Sequence, residues 1–174
     1  MPFILKALAM AVRKHPSLNA ELDEAALSLV LKKYVNVGIA VDSPDGLLVP
    51  VLRDVQDKTI VELAVELARP SEKARRRQLS PGEMKGGSIA ISNYGPFGGS
   101  FATPVPNYPD VAILGCGTIA DRAWVLEGNL AVRKILPLSL TFDHRVSDGG
   151  EATRFLVDIG GYLSDPASLL LDSR

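Results

Sequence analysis

The 174-residue sequence predicts one α/β domain. Three observations carry this reading. Helical apolar periodicity appears near both ends of the chain, at residues 3–14 and 149–163. Between them, runs of period two recur, bounded by glycine and proline. The length is enough for one domain with a substantial core and too short for two comfortable ones.

Residues 3–14 are apolar around most of a helical wheel, and Pro2 suits a first-turn position. His15-Pro16 ends this helix, because a residue before proline is pushed out of the helical region. A helix apolar nearly all round is a buried one. Because it starts at residue 1, the chain is expected to begin part-way through a larger unit. From Leu27 the period becomes two: Leu27, Leu29 and Leu31 alternate with Ser28, Val30 and Lys32. Val35, Val37, Ile39 and Val41 then alternate with Asn36, Gly38 and Ala40. Ser43-Pro44-Asp45-Gly46 is a turn, since proline presets φ and glycine accepts a positive one, and Leu47 to Leu52 resumes as a strand. Residues 35–52 therefore read as a β-hairpin.

Thr59 and Glu62 have capping-box spacing, and Ile60, Leu63, Ala64 and Leu67 give the following helix an apolar face. Pro70 is expected to kink or interrupt it. Ser80-Pro81-Gly82-Glu83 is a second start signal ahead of Gly86-Gly87. Strand-like runs follow at 88–92, 111–115 and 136–142, and the last helix buries Phe155, Leu156, Ile159 and Leu163 on one face. The irregular stretch 93–110 exceeds ordinary loop length. With Phe97, Phe101 and Tyr108 in it, an ordered, packed loop is expected.

Nineteen basic and twenty acidic residues give a net charge of -1, which disfavours a general nucleic-acid binder. Cys116 is the one cysteine. It cannot form an internal disulfide, and two histidines beside it do not complete a zinc site. This composition fits a reducing compartment. No apolar run reaches the roughly 18–20 residues of a membrane helix. Lys6 and the lack of a basic leader or cleavage site argue against a signal peptide. The expectation is a cytoplasmic domain with no metal, nucleic-acid or membrane partner.

Two histidines keep the search for a general base short. His15, at a helix end, reads as a charge near the C-terminal dipole. His144 leaves an apolar strand in the run Asp143-His144-Arg145-Val146-Ser147-Asp148-Gly149. Imidazole can take and return a proton near neutrality, and ionisable groups directly after an apolar strand are costly unless paired or functional. A hydrogen-bonded turn histidine is the alternative. Asp148 stands where an N-cap would precede the last helix, with Glu151 at N3; an ion pair locking the loop is its other reading. Ser92, at a strand end before a glycine-rich turn, could donate to an oxyanion or satisfy the turn. No nucleophile elbow or dinucleotide fingerprint surrounds it. Lys73, Arg75, Arg76 and Arg77 read as a solvated helix face, and Cys116 as a small buried hydrophobe.

Four segments together resemble one family. They are Val35–Asp42 with Gly46–Val51, Gly86–Gly95 around Ser92, Pro109–Gly115, and the D-H-R-x-x-D-G run at 143–149. In order and over the whole chain, they resemble the catalytic domain of the 2-oxoacid dehydrogenase dihydrolipoamide acyltransferases, the E2 core components. The resemblance implies a chloramphenicol-acetyltransferase-like α+β fold, a mixed sheet with helices packed against it, lacking a strand and helix at its N-terminus. It implies that residues 1–174 are an acyltransferase domain without its lipoyl and peripheral-subunit-binding domains. The implied activity is acyl transfer between a dihydrolipoyl arm and coenzyme A, acetyl first and branched-chain acyl close behind. His144 would be the general base, Ser92 from the neighbouring subunit the oxyanion donor, and Asp148 the residue orienting the active-site loop. Coenzyme A would be a substrate, the lipoyl group would be carried on a separate domain, and no metal would take part. The implied partners are a homotrimer building a larger core, with E1 and E3 components reached through other domains. The compartment would be the cytoplasm, or the mitochondrial matrix in a eukaryote. A non-catalytic core scaffold and a free-standing O-acetyltransferase are the rival readings. Ala90, where many relatives carry threonine, and Gly150, where alanine is common, leave the three site residues in place.

Overall fold

A computed structural model describes residues 1–43 and 46–171. Helix α1 (Pro2–Lys14) begins with the expected proline and ends at His15. Its residues Leu5 to Val12 are all buried, including Lys6, whose Nζ donates to the carbonyls of Gln56 (3.0 Å) and Lys58 (2.8 Å). Those two acceptors let the ammonium enter a core that burial alone would forbid.

Strands β1 (Ala20–Asp23) and β2 (Ser28–Leu31) form a separate antiparallel hairpin. The alternation from Leu27 onward does not mark a buried face: Leu27 lies in the turn with φ of 49°, and all four β2 residues are exposed. The 35–52 hairpin forms as β3 (Val37–Ser43), β4 (Gly46–Leu48) and β5 (Val51–Leu52), with β4 and β5 both antiparallel to β3. Its central turn residues Pro44 and Asp45 lie outside the described residues. Gly46, with φ of +105°, takes the conformation expected of it.

Thr59 caps α2 (Ile60–Arg75) in a complete capping box with Glu62. Of the two outcomes expected at Pro70, interruption does not occur: α2 runs on to Arg75. Ser71 Oγ donates to the Leu67 carbonyl at 3.0 Å, the turn beyond holds Ala74 fully buried, and Lys73 is tied to Glu83 at 2.7 Å. These contacts hold the post-proline turn in place. The predicted start at Ser80 yields only one 3₁₀ turn.

Strands β6 (Ile89–Asn93), β7 (Ala112–Cys116) and β10 (Leu138–Phe142) match the predicted runs closely, whereas β8 (Ala120–Leu126) and β9 (Asn129–Ile135) form a hairpin that the pattern reading missed. Helix α3 (Gly149–Ser164) is followed by α4 (Pro166–Leu171). The main sheet has the order β10-β7-β6-β3-β4, with β5 beside β3. Strands β3, β6 and β7 are parallel, and β10 closes the edge antiparallel to β7.

Side-chain alternation divides this sheet between two duties. Val37, Ile39, Ile89, Ile91, Ala112, Leu114 and Cys116 join α1, α2 and α3 in one core. Burial pushes the Cys116 thiol up to about 12, so it is the inert apolar group expected. The opposite face carries Gly38, Ala40, Ala90, Ser92, Ile113 and Gly115. The segment 94–110 crosses that side, but its aromatics do not pack it down: Phe97, Phe101 and Tyr108 are 71%, 76% and 78% exposed. Tyr94 Oη, bonded to Ser139 Oγ at 3.0 Å, and Thr118 Oγ1, donating to the Gly95 and Gly99 carbonyls, anchor it instead. A side chain at Gly117 would strike the Ser100 carbonyl, which explains the glycine there.

Candidate active site

Ser92 sits near the end of β6 on the small-residue face, half-buried. It lines a cavity of about 650 Å3 together with Ala40, Ala90, Ile113, Met84 and the segment 104–107. The walls are mainly aliphatic, so a hydrogen bond made there meets little competition from water. Small side chains on the sheet create the depth. A larger residue at Ala40 or Ala90 would fill it.

His144 lies two residues beyond the end of β10. The turn that carries it is braced at both ends. The Asp143 amide donates to the Val111 carbonyl at 2.8 Å, and the Asp143 carbonyl accepts from Val146 and Ser147. The Asp143 carboxylate accepts from the Arg145 amide, Nε and Nη2 at 2.9, 3.0 and 2.7 Å. The bonds from Arg145 hold Asp143 below the usual carboxylate range. Arg145 Nη1 also reaches Glu24 Oε1 in the β1–β2 turn at 2.8 Å. His144 itself is exposed, its ring 5.6 Å from that of Phe142. The charges flanking His144 are thus spent on each other, leaving the imidazole as the outward-facing group.

Asp148 is the N-cap of α3: its Oδ1 accepts from the Glu151 amide at 2.8 Å. That backbone bond is the main reason its carboxyl lies below the usual range. Glu151 does not complete a reciprocal box. Its carboxylate turns instead to His15 Nδ1, at 2.9 Å, and to Arg154 Nη2, at 2.8 Å. His15, expected as a simple dipole partner, is buried and also bonds Asp158 through Nε2 at 2.9 Å.

Within one chain the fold brings His144 and Asp148 together and keeps Ser92 away. Ser92 is in register with Gly115, and Gly115 with Ser139. Two strand spacings separate Ser92 from β10, roughly 10 Å across the sheet. His144 lies beyond Phe142, a further three or more residues along, at least about 10 Å.

A feature that pattern reading missed lies next to the cavity. Asp110, just before β7, faces the Lys32–Glu21 pair in a second hollow of about 330 Å3 that shares Val49, Met84 and Asn107 with the first. Burial, with Glu21 adding to it and Lys32 opposing, pushes Asp110 up to about 6. The sequence held no local signal for this, because Glu21 and Lys32 come from a distant hairpin. Among the described residues, no group of three or more histidine, cysteine or acidic side chains is arranged to hold a metal ion, and no helix is long and apolar enough to cross a membrane. In the basic cluster, Lys73 and Arg76 are paired with Glu83 and Glu72.

Comparison with known proteins gives a consistent result. The family described as 2-oxoacid dehydrogenases acyltransferase (catalytic domain) matches residues 1–171. The chain is 43% identical, over 99% of its own length, to the dihydrolipoyllysine-residue acetyltransferase component of the Bacillus subtilis pyruvate dehydrogenase complex. It spans 39% of that relative. A structure of Azotobacter vinelandii dihydrolipoamide acetyltransferase superimposes with a TM-score of 0.93 at 42% identity, covering 97% of this chain and 70% of that one. That study concerned the roles of a serine, a histidine 52 positions later and an asparagine four beyond it in the catalytic mechanism. The cubic core of a pyruvate dehydrogenase multienzyme complex matches with a TM-score of 0.93 at 43% identity, covering 97% of this chain and 70% of that one. Chloramphenicol acetyltransferase, at 18% identity, shares the fold, with a TM-score of 0.59 over 93% of this chain and 76% of that one.

Proposed function

The chain belongs to the family of 2-oxoacid dehydrogenase acyltransferase catalytic domains, and from that membership we propose that it transfers an acetyl group between a dihydrolipoyl thiol and coenzyme A. The observation that carries this is a matched spacing. Ser92, His144 and Asp148 stand 52 and four positions apart, the intervals that separate the serine, histidine and asparagine studied in the Azotobacter vinelandii enzyme. Asp148 replaces the asparagine, and its oxygen is used as a helix cap, a role asparagine fills equally well.

The proposed chemistry follows from these groups. The His144 imidazole takes the proton of the incoming thiol, whose sulfur attacks the thioester carbonyl. The tetrahedral oxyanion accepts a hydrogen bond from Ser92 Oγ. On collapse the C–S bond to the departing thiol breaks, and His144 returns the proton to that sulfur. One thioester is exchanged for another, so the reaction is close to balanced. The protein must supply position, a base and an oxyanion donor. Coenzyme A and the lipoyl group are both substrates here, the latter delivered on another domain.

Ser92 and His144 cannot meet on one substrate within a single chain, so the proposed site is composite, with Ser92 supplied by a neighbouring copy. The exposed apolar surface of the β8–β9 hairpin supports assembly: Val125, Leu130 and Val132, which share one face, are 67%, 77% and 69% exposed, more than a free surface normally tolerates together. We take the assembly to be a homotrimer built into a larger core, like the cubic core it resembles, joined to the other enzymes of the complex through further domains. The test is transfer from acetyl-coenzyme A to dihydrolipoamide by the assembled protein. His144→Ala should lower the rate by ~10² to 10⁴ with the fold intact. Near-normal turnover of that variant would remove His144 from the mechanism.

A further inference from the structure

We infer that His15 is a positioning residue for the proposed reaction: bonded through both ring nitrogens to two carboxylates of α3, it fixes the first turn of that helix, and with it the His144 loop, to the buried helix α1. The inference rests on the reading of His144 as the base. Its own basis is separate geometry. His15 is 6% exposed, with Nδ1 2.9 Å from Glu151 Oε1 and Nε2 2.9 Å from Asp158 Oδ2. Glu151 and Asp158 are each held below the usual carboxylate range, chiefly by their bonds to His15. The remaining charges nearby are Lys14, 3.4 Å from Asp158 and over the Tyr162 ring, and Arg154 on Glu151. The edge of Phe155 closes the side of the imidazole.

The connection to the site is short. The Glu151 amide is bonded by Asp148 Oδ1, and the Asp148 carbonyl accepts from Ala152. His144 is four residues before Asp148. Phe155 and Ile159 are fully buried and would keep α3 on the core without His15, but apolar contacts tolerate sliding and rotation. Two directional bonds from one rigid ring do not. They set where the first turn of α3 stands, and the loop leading into it inherits that position.

The experiment uses the assembled protein, with His15→Gln and Asp158→Asn as the perturbing variants and Lys14→Met as the control. Asp158 is partly exposed, so Asp158→Asn keeps the question answerable if the buried His15 substitution fails to fold. Misplacing a catalytic group by about 1 Å costs up to ~10²-fold; kcat should therefore fall about 10- to 100-fold in both variants with KM for coenzyme A unchanged. Amide exchange at Val146, Ser147 and Glu151 should quicken while β6 and α1 stay protected, and Lys14→Met should behave as wild type. Unchanged kcat and unchanged loop exchange would overturn the inference. So would faster exchange spread evenly over the chain, which would make His15 an ordinary stabiliser. A wild-type protein that transfers no acyl group would refute the proposed function instead, and the exchange pattern would then decide the role of His15 alone.

Discussion

A mixing experiment tests the proposed composite site directly. Ser92 and His144 are separated within one chain by roughly 10 Å across the sheet and at least as much along it. A thioester carbonyl within hydrogen-bond reach of one serine is therefore out of reach of the histidine on the same chain. Ser92→Ala alone should cost roughly 10² to 10³ in kcat, and His144→Ala roughly 10² to 10⁴. If the two inactive proteins are unfolded, mixed in equal amounts and reassembled, each interface draws one histidine-bearing and one serine-bearing copy at random. In a closed ring about one interface in four then receives both intact groups. Transfer from acetyl-coenzyme A to dihydrolipoamide should recover to about a quarter of the wild-type rate, at least ~25-fold above either parent. The double variant Ser92→Ala/His144→Ala reassembled with Ser92→Ala should recover nothing. Activity of the mixed assembly equal to the mean of its parents would mean both groups act within one chain, and the separation argument would be wrong.

Three further outcomes follow from the structure. Ser92→Ala should lower kcat with substrate KM and Tm unchanged, because its bond forms only to the transition state. Asp148→Ala should instead lose a helix cap worth about 1 kcal/mol, a fall in Tm of about 2–4 °C for a chain of this size. The reverse pattern in thermal melts would exchange the two roles. Asp110, raised to about 6 by burial and by Glu21, binds its proton more tightly folded than unfolded. Its stabilising protonation is complete below the ordinary carboxylate range near 4 and is lost as pH rises through about 6. Asp110→Asn should raise Tm at pH 7 to 8 and leave it nearly unchanged near pH 4. An equal difference at both pH values would refute the assignment.

What the sequence disclosed and what it hid divide along a physical line. The capping box at Thr59, the stop at His15-Pro16, the β3–β4 hairpin and the cap at Asp148 each rest on interactions within a few residues, and each stood as read. Local statistics allowed for a break at Pro70 that does not occur, since Ala74 in the core and Lys73 on Glu83 hold the helix beyond it. They failed at Glu127-Gly128. Both residues take positive φ in a two-residue turn, yet Trp124, Val125 and Leu126 are apolar in succession, with no buried-and-exposed contrast to mark a strand. Alternation encodes a strand only when one face meets water and the other the core of the same chain. A hairpin exposed on both faces carries no such record. The two most informative site features fall in the same class. His15 meets Glu151 across 136 positions, and Ser92 has its proposed catalytic partner on another copy. A motif can name the reacting groups from one strand end or one turn. That the site is shared between chains was already implied by the family resemblance and remains the proposal; the separation of Ser92 from His144 within one chain is a property of the sheet register, legible only once β6, β7 and β10 are aligned.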